Sequence, residues 1–241
     1  MIRLPLMVAL TALLAVQVAA EDTIRTLIVT GCDYPGHKWR ETTPVVRSAL
    51  EQDERFEVFV SEDPAILATG VHERYDVTIL HYCNWEQPMP PQEVLDGLAA
   101  SVKSGMGLVA LHFACGAFLE WPEYEKIIGR VWDQEKTHDP YGPFTVEIAD
   151  KNHPIIRGMQ KFDTTDELYF CLKGKPDIHV LLTARSKITK QDEPMGFTLR
   201  YGKGRVFHTP LGHDVKAFSP PQVQELLRRA CEWTATGQVG E

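Results

Sequence analysis

Nine histidines are distributed along this 241-residue chain, and four of them end or follow predicted β-strands. His37 lies in a loop after the first predicted strand, and His81 and His112 end the third and fourth strands. His213 lies just beyond the last strand. Because ligands of open parallel sheets bind outside the carboxyl ends of the strands, we expect these histidines to share one edge of a sheet.

The surroundings of the four histidines favour different roles. His112 precedes a sharp turn from strand to helix, close to helix N-terminal amides that favour anions. His37 and His213 are each flanked by a glycine, which lets a ligand approach the backbone. His81 lies in an apolar strand, so a hydrogen-bonded core histidine and a substrate-binding histidine are equal alternatives there. We expect His37, His112 and His213 to be metal ligands.

Two adjacent acids, Asp166 and Glu167, supply the candidate carboxylates. On a strand they would face opposite sides, so only one of them would serve a given site unless they lie in a loop. A carboxylate with several imidazoles suits a divalent ion of the zinc, manganese or iron type. Without a metal, His112 and His213 could act as acid and base, because an imidazole titrates near pH 6.5.

The sequence therefore yields a set of candidate site residues. The expected catalytic residues are His112, His213, Asp166 and Glu167. The residues expected to bind substrate are His37, Trp39, His81, His138, Asp139 and Tyr169.

Strands and helices alternate in the first half of the chain, which predicts a parallel sheet covered on both faces. The second half is rich in strands, and its last two resemble a β-hairpin. The predicted strands are 23–30, 56–60, 75–81, 107–112, 144–148, 168–172, 179–183, 195–200 and 204–209. Four helices are predicted. The first begins at Thr42, the second includes residues 94–102, the third covers 117–129 with a late start or a kink at Pro122, and the fourth covers 221–234. These patterns predict one three-layer α/β domain.

The first 20 residues have the pattern of a signal peptide. Arg3 precedes an apolar run over 4–16, and Val18-Ala19-Ala20 offers small residues before a cleavage point. The apolar run is shorter than the roughly 20 residues that span a bilayer. We expect residues 21–241 to be the mature domain, exported to the periplasm or the medium without a stable membrane span; an uncleaved N-terminal anchor is the alternative.

Charge and cysteine content exclude other classes of protein. The formal net charge is −8 and no basic stripe is present, so nucleic acid is not an expected partner. The five cysteines are widely spaced and form no C-x-x-C motif, which excludes a redox or structural zinc motif and a disulfide scaffold. One disulfide remains open, without an indicated pair.

Several motifs in combination resemble the ThuA-like, or trehalose-utilisation, family from the first strand to the last helix. They are Gly105-Met106-Gly107-Leu108-Val109-Ala110-Leu111-His112, Asn152-His153-Pro154-Ile155, Asp166-Glu167-Leu168-Tyr169, Gly202-Lys203-Gly204-Arg205-Val206-Phe207-His208-Thr209 and Leu211-Gly212-His213. The family usually has consecutive glycines where this chain has Gly105-Met106-Gly107.

The resemblance implies a flavodoxin-like fold similar to class I glutamine amidotransferases, and a role in the metabolism of disaccharides or keto-sugars. It implies the amidotransferase scaffold without its nucleophile, because His112 stands at the turn where those enzymes place a cysteine. The positions that match the family are His37, His112, Asp166, Glu167 and His213.

Three functional hypotheses follow. The first is an exported hydrolase, lyase or isomerase that acts on a small carbohydrate. The second is a non-catalytic module that binds a carbohydrate or a partner through its tryptophans, although such rings more often serve packing. The third is a hydrolase with Cys115 as nucleophile and His213 as base, for which Cys115 lies about one turn too late. A homo-oligomer remains open in each case.

Overall fold

A computed structural model describes residues 23–133, 138–170 and 172–240, which contain one nine-stranded sheet. The predicted signal peptide lies outside the described residues. The strands are β1 (Ile24–Val29), β2 (Phe56–Ser61), β3 (Val77–Leu80), β4 (Gly107–Leu111), β5 (Gly142–Ile148), β6 (Phe162–Asp166), β7 (His179–Arg185), β8 (Asp192–Tyr201) and β9 (Gly204–Thr209). The central strands β3 and β4 are buried along their whole length, as strands covered on both faces must be.

Helices cover both faces of the sheet. They are α1 (Trp39–Leu50), α2 (Gln92–Ser104), α3 (Pro122–Ile128), α4 (Val215–Phe218) and α5 (Pro221–Thr236). Apolar residues at helical spacing on α1 and α5, such as Val46 and Leu226, pack in the core on one face. Leu98 of α2 and Tyr124 of α3 pack in the core on the other face. The predicted three-layer arrangement is therefore observed.

The order of strands in the sheet is β2-β1-β3-β4-β9-β8-β7-β5-β6. β1, β2, β3, β4 and β9 run parallel to one another, so their carboxyl ends meet at one edge. The chain leaves β1 for β2 on one side and then returns to β3 on the other, which makes the space after β1 and β3 a topological switch point. This parallel half confirms the predicted flavodoxin-like α/β fold.

The remaining strands extend the sheet in antiparallel fashion. β8 and β9 form the predicted hairpin, and their last pair, Tyr201 with Gly204, flanks a two-residue turn. Gly202 in this turn has φ +60°, which glycine adopts without steric cost. The prediction of added strands in the second half is confirmed.

One predicted strand is absent, and one strand was not predicted. Residues 168–172 do not form a strand; apart from the undescribed Cys171, the segment leaves the sheet and makes only an isolated bridge between Tyr169 and His138. β6 was not predicted, because its alternation places polar Asp163 and Thr165 outward and leaves few apolar residues to mark it. β6 is an edge strand paired with β5 alone.

One helix boundary differs from the sequence-based expectation, and the late start predicted at Pro122 is observed. α1 begins at Trp39, three residues before Thr42, because backbone N–H groups bond to the carbonyl oxygens of His37 and Lys38. Pro44 consequently lies inside α1. The region after His112 begins with a 3₁₀ turn over His112–Gly116, and α3 starts only at Pro122.

The described residues hold no helix that is long and apolar enough to cross a membrane. The four described cysteines, Cys32, Cys83, Cys115 and Cys231, are free thiols.

Candidate metal centre and its pocket

His112 occupies the turn at the carboxyl end of β4 and has φ +45°, a conformation that is uncommon for a side chain with a Cβ. His112 is the first residue of the 3₁₀ turn that ends at Gly116, and β4 lies between β3 and β9 in the parallel half of the sheet. The His112 ring is fully buried. Its Nδ1 lies 2.6 Å from the carbonyl oxygen of Pro210, just after β9.

The Pro210 carbonyl determines the tautomer of His112. A carbonyl can only accept, so Nδ1 carries the proton and Nε2 keeps its lone pair in the neutral ring. Nε2 lies 2.8 Å from the hydroxyl of Tyr169, which donates to it, and 3.1 Å from Nε2 of His37. Burial, with further contributions from neighbouring imidazoles, lowers the pKa of His112 well below its usual value. His112 is therefore a neutral ring with a fixed acceptor nitrogen.

His37 reaches the same point from the loop after β1. Its ring stacks on Phe113 with centroids 4.5 Å apart, and it meets the rings of His112 and His213 edge-on. Burial, assisted by the charge of His213, lowers the pKa of His37 to about 4. His37 is thus neutral at physiological pH and can offer a lone pair to a ligand.

Glu167 and His213 complete the cluster from the ends of β6 and β9. Nδ1 of His213 lies 3.1 Å from Oε2 of Glu167, yet this buried nitrogen has no aligned hydrogen bond. Burial lowers the pKa of His213, but the Glu167 carboxylate and the charges of Asp166 and Asp214 outweigh it and raise the pKa. Burial raises the pKa of Glu167, but the close imidazole of His213 and the charges of His138 and His37 outweigh burial and lower the pKa.

These side chains form a group suited to a metal ion. His37, His112, Glu167 and His213 each offer one ligand atom, and the four atoms lie within 4.8 Å of one another. Two nitrogens on one tetrahedral zinc lie about 3.3 Å apart, since Zn–N bonds are about 2.0–2.1 Å. The 3.1 Å between Nε2 of His37 and Nε2 of His112 is close to that value. Nδ1 of His213 has no aligned hydrogen-bond partner, and a metal ion would give this nitrogen one. Three imidazoles and a carboxylate fit zinc, manganese or iron.

Asp166 lies directly behind this cluster and is fully buried at the end of β6. Its carboxylate accepts hydrogen bonds from the backbone N–H groups of Glu167, Gly212 and His213, at 2.7–3.1 Å. Burial raises the pKa of Asp166 to about 7, against these three donors, which lower it. Asp166 thus joins the segments that carry Glu167 and His213, and it does not belong to the cluster itself.

A pocket of about 180 Å³ opens beside the cluster. His138 and Tyr169, both predicted to bind substrate, line it together with His37, Glu167 and His213. Nδ1 of His138 donates to the carbonyl oxygen of Asp139 at 2.9 Å, so Nε2 is its acceptor in the neutral ring. The other lining residues are Tyr34, Gly36, Cys83, Trp85, Phe113, Gly116 and Trp132.

Three of the predicted substrate-binding residues do not line this pocket. Trp39 is buried, and its indole N–H donates to Asp33 at 2.8 Å. His81 is fully buried, with Nε2 2.8 Å from the Thr42 hydroxyl, and burial lowers its pKa to about 3. The carboxylate of Asp139 is held by residues 186–188.

The structure gives Cys115 no access to a substrate. Its side chain is fully buried in the 3₁₀ turn, and burial raises the pKa of its thiol well above the usual value. A nucleophilic cysteine needs a lowered pKa and an exposed position. The geometry therefore does not favour the Cys115 hydrolase hypothesis.

Sequence reasoning named Trp85 and Trp132 among the tryptophans that could stack on a sugar, but it missed Phe113. Phe113 follows His112 directly, yet nothing in the sequence shows that it would stack on His37. Trp85 and Trp132 are distant along the chain and meet only through the fold, with perpendicular rings. The available signal was that the tryptophans follow the loops expected to form the site.

The fold and the site together define a doubly wound α/β protein with a histidine–carboxylate cluster at the carboxyl edge of its parallel strands. The chain belongs to the ThuA family, described as trehalose utilisation, whose model matches residues 25–234. Family membership indicates a role related to carbohydrates. No curated protein matches the chain.

Solved structures show the same fold. A ThuA-like protein from Parabacteroides merdae is 29% identical, with a TM-score of 0.79 over 91% of this chain and 92% of its own. A ThuA-like protein from Bacteroides uniformis is 19% identical, with a TM-score of 0.72 over 93% and 98% of the two chains. A β-galactosidase from Bacillus circulans sp. alkalophilus is 13% identical, with a TM-score of 0.59 over 89% of this chain and 32% of its own. The last two similarities concern the fold alone.

Proposed function

We propose that the chain is an exported, metal-dependent enzyme that acts on a small carbohydrate, a disaccharide or keto-sugar. The observation that carries the proposal is the convergence of His37, His112, Glu167 and His213 on one point with a pocket beside it. The family description, trehalose utilisation, supports the substrate class. The signal-like pattern of residues 1–20 supports export.

The tautomer of His112 supports metal binding over acid–base work by that ring. Metal-bound histidines commonly donate their other N–H to a backbone carbonyl, as His112 does to Pro210. A bound divalent ion would polarise a substrate carbonyl or lower the pKa of a bound water toward about 7.

The remaining polar groups of the pocket would then handle substrate and protons. If Nε2 of His112 binds a metal ion, it no longer accepts the hydrogen bond of the Tyr169 hydroxyl, which can then donate to a substrate oxygen. His138 lines the pocket with Nε2 as its acceptor, and it can take or return a proton at that atom.

The test uses mature protein purified without a histidine tag, with metal content measured by mass spectrometry and turnover measured on a panel of disaccharides and their keto derivatives. We expect about one divalent ion per chain. His112→Ala and His213→Ala should each lower bound metal and turnover at least tenfold, while exposed His72→Ala should retain both. A metal-free wild type, with full turnover in His112→Ala, would refute the proposal.

A further inference from the structure

One wall of the pocket is aromatic. Trp85 and Trp132 stand nearly perpendicular, at 81° with centroids 6.2 Å apart, and form a corner. The ring of Tyr169 lies 4.9 Å from that of Trp132. Both tryptophans are only partly buried, so each presents ring surface to the pocket. Indole faces carry partial negative charge and attract the polarised C–H groups on the face of a sugar ring.

Trp132 is held in place by its backbone. Its N–H donates to the carbonyl oxygen of Cys115 at 2.9 Å, and neighbouring Val131 forms an isolated bridge with Lys173. Cys115 belongs to the same 3₁₀ turn as His112. The indole is therefore positioned relative to the metal cluster by the turn that carries a ligand.

The charge of the pocket restricts what can enter it. Among the described residues that line it, none is lysine or arginine. Lys38 borders two neighbouring depressions instead. Phosphate and carboxylate groups are ordinarily recognised by such cations, above all by arginine. Among the lining residues that the structure describes, a sugar phosphate or a sugar acid would therefore find no lysine or arginine to pair with.

The size of the pocket restricts the occupant further. Its volume of about 180 Å³ is below the roughly 300–1,000 Å³ of pockets that enclose drug-sized ligands. One sugar ring matches this volume better than two.

We propose that the corner formed by Trp85 and Trp132 is a subsite for one uncharged sugar ring, which it holds with the ring's oxygen atoms toward Glu167, His213 and Tyr169. This inference rests on the proposed function and specifies its substrate as a neutral sugar, of which a single ring enters. A disaccharide binds with its second ring outside the pocket.

The test compares variants that alter the corner and leave the metal ligands in place. Trp132→Ala removes one wall, and Trp132→Phe restores an aromatic face. Gly116→Ala adds a methyl group on the pocket side, 3.3 Å from Sγ of Cys83, 3.7 Å from Trp85 and 3.9 Å from Trp132, so only the sulfur must shift slightly. Trp121→Phe is the control, because Trp121 packs against Phe118 and Tyr124 and does not line the pocket.

Binding of glucose, galactose, mannose, trehalose and glucose 6-phosphate to the metal-loaded mature protein is measured by ligand-observed NMR, alongside metal content. We expect at least one neutral sugar to bind, and glucose 6-phosphate to bind at least tenfold more weakly than glucose. Trp132→Ala should weaken sugar binding at least tenfold and Gly116→Ala at least threefold. Trp132→Phe should recover most of the affinity, and Trp121→Phe should match the wild type.

Metal content separates this inference from the proposed function, because every variant should keep its ion. A protein without metal would count against the proposed function. Three results with metal-loaded protein would overturn this inference alone. They are no binding of any neutral sugar, equal binding of glucose and glucose 6-phosphate, and unchanged sugar affinity in both Trp132→Ala and Gly116→Ala.

Discussion

At the scale of single residues, the candidate metal site depends on groups that orient its four side chains as much as on those side chains themselves. Pro210 fixes the tautomer of His112, and Asp166 ties together the backbone of the segments that carry Glu167 and His213. Such supporting hydrogen bonds commonly change metal affinity by about 10–100-fold when they are lost. Asp166 is therefore a positioning residue that can be tested separately from the cluster.

Asp166→Asn should weaken zinc binding by about 10–100-fold. The amide keeps the shape of the carboxylate but offers one acceptor oxygen, and its NH₂ group would face the backbone N–H of Gly212 or His213. Competition with a chelating dye measures the dissociation constant. The control is Asp163→Asn on the exposed face of the same strand, which should bind zinc as the wild type does. Equal affinities in the two variants would refute a positioning role.

The sequence predicted which histidines end strands, but it could not predict where their rings point. His81 and His112 follow adjacent strands, yet His81 turns back to Thr42 while the positive φ of His112 projects its ring into the site. The sequence left open whether Asp166 or Glu167 would face the site, because the answer depends on where β6 ends. Trp39 resembled a site residue only through its proximity to His37 along the chain.

At the scale of elements, the close packing of helices on the sheet fixes the layers. Gly97 lies in the middle of α2, where its backbone approaches Leu67 and Ala68 so closely that a Cβ would overlap the carbonyl oxygen of Leu67. The glycine therefore permits α2 to pack against the short 3₁₀ segment Pro64–Thr69, which precedes β3.

Gly97→Ala should lower the free energy of unfolding by up to about 2 kcal/mol, measured by urea denaturation. Alanine gains about 1 kcal/mol of helix propensity, but overpacking costs about 1–3 kcal/mol. Ala100→Gly on the exposed side of α2 is the control, and it should lose about 1 kcal/mol from propensity alone. A stabilised Gly97→Ala variant would contradict the close approach.

Elements with a strong apolar pattern were predicted well, and those without one were not. β3, β4 and α5 are marked by burial on one or both faces, and their positions differ from the prediction by at most two residues at either end. β6 is a polar edge strand, so tertiary pairing with β5 decides its structure. Residues 168–172 have strand-like composition, but Tyr169 leaves the sheet and contacts His112.

At the scale of the whole molecule, buried histidines couple folding to pH. His208 in β9 is fully buried, its Nδ1 donates to the carbonyl oxygen of Ile128, and burial lowers its pKa to about 4. In the unfolded chain it titrates near 6.5, so the unfolded state binds more protons between those values. The stability that its neutral ring contributes is complete above about pH 6.5 and falls as the pH is lowered toward 4.

His208→Asn keeps a donor for Ile128 and removes the titrating group. Between pH 7 and pH 5 the metal-free wild type should lose about 2 kcal/mol more stability than this variant, since one pKa unit corresponds to about 1.4 kcal/mol. Urea denaturation at the two pH values gives the difference. Exposed His72→Asn serves as control and should follow the wild type; an equal loss in His208→Asn would show that His208 is not the source.

The site is assembled from the whole length of the chain. His37 follows the first strand, His112 follows a central strand, and Glu167 and His213 come from the antiparallel extension and the last parallel strand. The antiparallel half is therefore more than an extension of the sheet, because it brings a carboxylate and Tyr169 to an edge that otherwise carries histidines.

The central claim is that His37, His112, Glu167 and His213 bind one divalent ion. Anomalous diffraction from crystals of tag-free protein, recorded across the zinc, iron and manganese absorption edges, tests it most directly. The account predicts a single anomalous peak within bonding distance of His112 and at least two of the other three side chains. The absence of any anomalous peak in protein crystallised with these ions, with Nε2 of His37 still within hydrogen-bonding distance of Nε2 of His112, would contradict it.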